Sequence, residues 1–135
     1  MARPITNPDL APAFFNFYDE TCDKLKKIIN TREDVLILSG EGILGLEAAM
    51  ASLVEPGDRV LCLANGVFGE RFSDFAALYG GQVVFFKKEY DEFITADDVR
   101  EFLLKNGEFK IATIVHCETP AELVNPSESW KQTAL

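Results

Sequence analysis

Four short runs in which almost every residue is apolar punctuate the chain: DVLILS at 34–39, RVLCLA at 59–64, QVVFFK at 82–87 and KIATIVH at 110–116. Hydrophobicity that is continuous rather than alternating marks strands buried on both faces. Helical stretches are predicted between them at 43–54, 67–79 and 96–106. Ahead of the first run, Phe14, Phe15, Tyr18, Cys22, Leu25, Ile28 and Ile29 recur at helical spacing with Asp19, Glu20, Lys24 and Lys26 between them, which predicts a one-sided amphipathic helix. Thr95, with Asp97 and Asp98 just after it, is a start signal, and the Glu55-Pro56-Gly57-Asp58 cluster is a stop signal. The order α-β-α-β-α-β-α-β requires right-handed crossovers. It therefore predicts an α/β fold of three layers, a mainly parallel sheet with helices on both faces. The polar end of the chain, residues 127–135, has one Trp and no period and reads as a tail to a domain spanning 1–126.

Composition narrows the partners. At 135 residues, with 47% hydrophobic and 11% aromatic residues, the chain fits one domain with material for a core. Its net charge of −9 argues against nucleic acid and anionic membrane, both of which need a basic face. Small molecules or proteins are the expected partners. Cys22, Cys62 and Cys117 are odd in number, far apart and form no C-x-x-C pair, so neither a disulfide framework nor a zinc knuckle is expected. His116 is the sole histidine, which excludes a multi-histidine metal site and reads as a hydrogen-bonded residue at a strand end. With no run near the ~20 apolar residues of a membrane span and no basic-then-apolar amino terminus, a cytoplasmic protein is expected.

The stretch SGEGILGLEAA at 39–49 joins the first apolar run to a helix and contains G-x-G-x-x-G at Gly40, Gly42 and Gly45. A strand feeding a glycine turn that opens a helix leaves free backbone N–H groups and the positive end of the helix dipole in one spot, which suits a phosphate. A dinucleotide fold would also need an acidic residue about 20 residues on, at the end of the second strand. That strand ends in Ala64-Asn65, and Asp58 lies before it, at the wrong edge. A P-loop fails because no Gly-Lys-Ser/Thr follows. The plain alternative is a helix-start turn whose small residues, Gly45 with Ala48 and Ala49, permit close packing.

The turn keeps informative company. SGEGILGLEAAMASLVEPGDRVLCLANGVFGERFSDFAALYGGQVV, followed by IVHCETPAELVNP, resembles the class V aminotransferases, the alanine–glyoxylate and serine–pyruvate group of pyridoxal-phosphate enzymes, from about residue 14 to residue 126. The resemblance implies the first half of a fold-type-I large domain, pyridoxal 5'-phosphate as cofactor, amino acids and 2-oxo acids as substrates, and a dimer. It places Glu41, Gly42 and Ile43 at the cofactor phosphate, Phe68 of NGVFGERF stacked on the pyridine ring, and Thr119 of HCETPAELVNP at the phenolic oxygen. Two departures stand out. Glu41 puts a carboxylate where the family has Ser or Thr, and two anions about 4 Å apart repel by ~1 kcal/mol even in water. Pro120-Ala121-Glu122 replaces a small, glycine-containing continuation.

In the family, the Schiff-base lysine and the aspartate that keeps the pyridine nitrogen protonated follow later strands, so the resemblance assigns neither to this chain. Lys131 lacks the family's surrounding motif. No catalytic residue is therefore expected here, and the chain by itself is expected to be inactive. The resemblance also implies a full sheet ordered 3-2-4-5-6-7-1. With only four strands, the first run is expected either to re-pair beside strand 4 or strand 2, or to leave open edges that associate with a second copy or a complementary chain. Two rivals stand beside the aminotransferase reading: a non-catalytic dimerisation or protein-interaction module, and, more weakly, a small dinucleotide-binding domain.

Overall fold

A computed structural model describes residues 7–126, which fall in two compact units divided between Gly40 and Glu41. The polar tail 127–135, with Lys131, lies outside the described residues.

In the first unit, helix α1 (Pro12–Ile29) follows the periodicity from Phe14 to Ile29. Pro12 opens it, where its missing N–H costs nothing, and Lys26 and Lys27 lie in the last turn, where the helix dipole favours positive charge. It ends at Asn30, whose left-handed φ of 53° turns its N–H back to Lys26 O. The expected strand at 34–39 does not form. No residue there joins a ladder, and Leu36, Ile37 and Leu38 are 76%, 45% and 48% exposed. A run of strand-forming residues becomes a strand only where a neighbouring backbone takes its hydrogen bonds. Here the Ile37 N–H donates to the Tyr18 hydroxyl at 3.0 Å, and Asp34 pairs with Lys26 at 3.0 Å. The expected re-pairing of this run beside another strand is likewise absent among the described residues.

The second unit has the three layers the sequence predicts. Strands β1 (Arg59–Ala64), β2 (Gln82–Lys87) and β3 (Ile111–Ile114) form a parallel sheet in the order β2-β1-β3, with Val60 opposite Val83 on one side and Ile111 on the other. Helices α2 (Gly42–Leu53), α3 (Val67–Leu78) and α4 (Ala96–Asn106) supply the outer layers. The central strand feeds both cores, because successive side chains point to opposite faces. Val60 and Cys62 pack with Met50, Val54, Phe72 and Ala76 under α2 and α3. Leu61 and Leu63 pack with Ile94 and Val99 under α4. Each such aliphatic side chain contributes roughly 1.5–3 kcal/mol by leaving water.

The punctuation is equally local. Thr95 and Asp98 form a reciprocal capping box at the start of α4. In the Glu55–Asp58 turn, Asp58 accepts from the Glu55 N–H at 2.7 Å, and Gly57 takes the φ of 93° that a side chain would resist. Beyond β3, a small antiparallel pair, β4 (Cys117–Glu118) with β5 (Leu123–Val124), is closed by a 3-10 turn over Thr119–Ala121. Glu122 there holds a left-handed φ of 52°, a position that glycine would occupy without strain.

Candidate functional site

In an open parallel sheet, ligands are taken up beyond the carboxyl ends of the strands. Helix α3 starts there, separated from β1 by two residues, and the hairpin carrying Thr119 starts there too, past β3. Helix α2 descends toward the amino edge, where Val54 lies beside Gly81 at the start of β2, so its first turn faces the carboxyl side.

The two helix starts differ in what fills them. At α3, two of the four orphan N–H groups of a helix start are met by a residue far along the chain. Glu118, with 0% of its surface exposed, accepts from the Phe68 N–H through Oε1 and from the Gly69 N–H through Oε2, each at 3.0 Å. Negative charge at a helix N-terminus is favoured by the dipole. Gly66 makes room for it: a Cβ there would lie 2.1 Å from Glu118 Cγ. At α2 no such filling exists among the described residues. Glu41, the residue before the helix, is exposed and makes no side-chain cap, while the Leu44 N–H turns back to Glu41 O at 3.0 Å. Gly42 and Ile43 occupy the first two helical positions, where N–H groups have no partner within the helix. Space around Gly42 is open, with no heavy atom within 4 Å of where a Cβ would stand. This start can hold an anion; the other already holds one of its own.

Phe68 is 44% exposed at the second position of α3 and belongs to neither hydrophobic core. Its side chain is therefore open enough to meet a ligand. Thr119 is exposed at the tip of the hairpin, and its hydroxyl makes no hydrogen bond among the described residues. Phe68 and Thr119, 51 positions apart in sequence, are brought together by Glu118, which holds the backbone of the first and is the chain neighbour of the second. Open donors at α2, an exposed aromatic side chain and a free hydroxyl fit a phosphorylated aromatic cofactor. The carboxylate of Glu41 is the discordant member, although its exposure leaves it free to swing into water.

The hairpin is anchored at its base by a polar cluster that sequence reasoning missed. Asn65 and Asn125, both buried, exchange hydrogen bonds of 2.9 and 3.0 Å between their side-chain amides. Asn125 also accepts from the Ile94 N–H and donates to Val115 O, so all four of its side-chain bonding positions are used. Asn65 donates further to Glu92 O at 2.7 Å. His116 takes the structural place expected of it, its Nδ1 lying 2.8 Å from Asn125 O while its own carbonyl accepts from the Asn125 N–H.

The glycine pattern loses its dinucleotide meaning. The segment before it is no paired strand, and Gly45 has open space on its Cβ side rather than the close packing expected of it.

Comparison with known proteins gives a consistent picture. The chain is 36% identical over 121 residues to the pyridoxamine–pyruvate transaminase of Mesorhizobium japonicum, covering 90% of this chain and 31% of that protein. The crystal structure of pyridoxamine–pyruvate aminotransferase from Mesorhizobium loti superposes with a TM-score of 0.88 at 33% identity, over 97% of this chain and 33% of that one. Alanine–glyoxylate aminotransferase from Nostoc superposes with a TM-score of 0.80 at 32% identity, over 92% and 34%. The chain thus spans about a third of the length of these relatives. No protein-family model matches it.

Proposed function

The chain belongs to the class V aminotransferases, and from that premise we propose that its carboxyl edge forms the phosphate- and ring-binding part of a pyridoxal 5'-phosphate site. This site serves transfer of an amino group from an amino acid to a 2-oxo acid, and two copies assemble around it. When bound, the cofactor supplies an electron-accepting ring that weakens the bonds at the amino-bearing carbon.

This chain's residues bind and orient. The Gly42 and Ile43 N–H groups take the phosphate at the positive end of α2. The exposed side chain of Phe68 stacks on the pyridine ring, and the Thr119 hydroxyl donates to the phenolic oxygen. Glu41 turns outward to admit the phosphate. The observation that carries the reading is the contrast between the open start of α2 and the filled start of α3.

One observation favours a second reading. A carboxylate beside the phosphate donors would suit a site no longer used, in a chain retained as an interaction module. Titration with pyridoxal phosphate, followed by absorbance, separates the two. Saturable binding supports the cofactor site, whereas absence of binding, or borohydride trapping scattered over surface lysines, supports the interaction module.

A further inference from the structure

We propose that Glu118 is a positioning residue that locks Phe68 and Thr119 into one rigid piece, so that ring face and hydroxyl meet the cofactor in fixed relation; this rests on the pyridoxal-phosphate reading above.

The cap on α3 is unusual for its source. Helix starts are ordinarily capped by Ser, Thr, Asp or Asn at the residue before the helix. Gly66 stands there instead, with no side chain, and the acceptor comes from a residue 50 positions after Phe68 and 49 after Gly69. Burying a carboxylate is costly unless it is fully bonded, so a local cap would secure α3 at less expense. What the distant cap adds is connection. One oxygen fixes the Phe68 backbone and the other fixes Gly69, whose own Cβ side is closed by Ala64 Cα at 3.0 Å, so the first turn cannot rotate about the strand it leaves. On the other side, Glu118 is held in register opposite Leu123, and Asn125 pins the hairpin base to Val115, Ile94 and Asn65. Thr119 follows Glu118 directly and inherits that fixity.

Two measurements test the lock on the 135-residue protein. The first needs no substitution. By NMR hydrogen exchange, the Phe68 and Gly69 amides are expected to exchange at least ~10-fold more slowly than those of Gly42 and Ile43, which start a helix without an acceptor. Equal rates would overturn the proposal. The second compares two probes, pyridoxal phosphate and inorganic phosphate. Glu118→Gln puts a donor against one of the two amides and is expected to weaken pyridoxal phosphate by about tenfold while leaving inorganic phosphate within about twofold, because phosphate alone needs only α2. Glu118→Gln should weaken pyridoxal phosphate by a smaller factor in a Phe68→Ala background than in the wild type, because only the Thr119 share remains to be lost. Equal weakening of both probes, or full additivity with Phe68→Ala, would show a general structural role and overturn the proposal. A wild-type protein that takes up no pyridoxal phosphate would sink the function proposed above, and the exchange rates alone would then decide whether the lock exists.

Discussion

Replacing Gly66 by alanine tests the physics of the α3 start with a single methyl group. The backbone is no obstacle, since Gly66 has an extended φ of 176° that any residue adopts. The obstacle is space: the new Cβ would lie 2.1 Å from Glu118 Cγ, 2.3 Å from Cδ and 2.8 Å from Oε1. Glu118 must therefore leave, and two hydrogen bonds to a charged acceptor leave with it. Such bonds contribute roughly 1.5–3 kcal/mol each. The displaced carboxylate regains water and offsets part of that, so the expected net loss is about 2–4 kcal/mol, a fall in Tm on the order of 10 °C for a unit of this size. Urea unfolding followed by circular dichroism measures it.

Gly45→Ala is the matched control. It sits inside α2 with nothing within 4 Å of the added Cβ, and it should stabilise by about 0.5–1 kcal/mol through helix propensity alone. Two identical substitutions should thus move stability in opposite directions. Placing Gly66→Ala in a Glu118→Ala background removes the clashing atoms, and the penalty should then nearly vanish. A penalty that persists undiminished in that background would refute the reasoning, because it would show that the cost arises somewhere other than the Glu118 contact.

Three further outcomes are expected. Asn125→Ala takes the partner from the Asn65 side-chain oxygen, the Ile94 N–H and Val115 O together, and should cost about 2–4 kcal/mol in urea melts. The Asp58 carboxyl is held below its ordinary value of 3.8 by its hydrogen bond to the Lys110 ammonium and by the Glu55 N–H. A lowered folded value means that its contribution is present above pH 3.8 and is lost as pH falls through the folded value, so wild type and Asp58→Asn should differ in urea midpoint near neutrality and converge in acid. Glu41→Ser should tighten pyridoxal phosphate by about fivefold at low salt, the equivalent of removing ~1 kcal/mol of repulsion at 4 Å, and the gain should shrink as salt rises; an unchanged affinity would place the phosphate elsewhere.

What could be read from the sequence was what depends on neighbours along the chain. The start and stop of α4 and the burial of both faces of β1 follow from residues within a few positions of each other, and each was legible. The 34–39 run was misread because its composition specifies strand propensity and says nothing about whether a partner backbone lies beside it. Glu118, Asn65 and Asn125 were missed for the complementary reason. Their partners lie as far as 60 positions away, and a polar residue next to a strand end looks the same in sequence whether it is solvated or buried in a network. Gly66 was the nearest thing to a signal, a helix start with no local capping side chain.

The two helix starts also bear on why a departure such as Glu41 can be tolerated. A carboxylate near a helix N-terminus is stabilised by the dipole wherever it comes from, and this fold uses that at α3, where Glu118 is buried and bonded twice. Glu41 stands at the equivalent place on α2 yet makes no cap and stays exposed. A side chain that had taken over the anion's role would be expected to fold back onto the free amides, as Glu118 does, and gain their hydrogen bonds. Glu41 leaves the Gly42 and Ile43 donors open, which means it hinders an incoming phosphate through charge rather than by occupying its place. Charge acting through water is screened within about 10 Å at 0.1 M salt, whereas a filled site would not reopen with salt. The affinity of wild-type protein for pyridoxal phosphate should therefore rise toward that of Glu41→Ser as salt increases; a wild-type affinity that stays low while the variant's stays high would mean that Glu41 occupies the site after all.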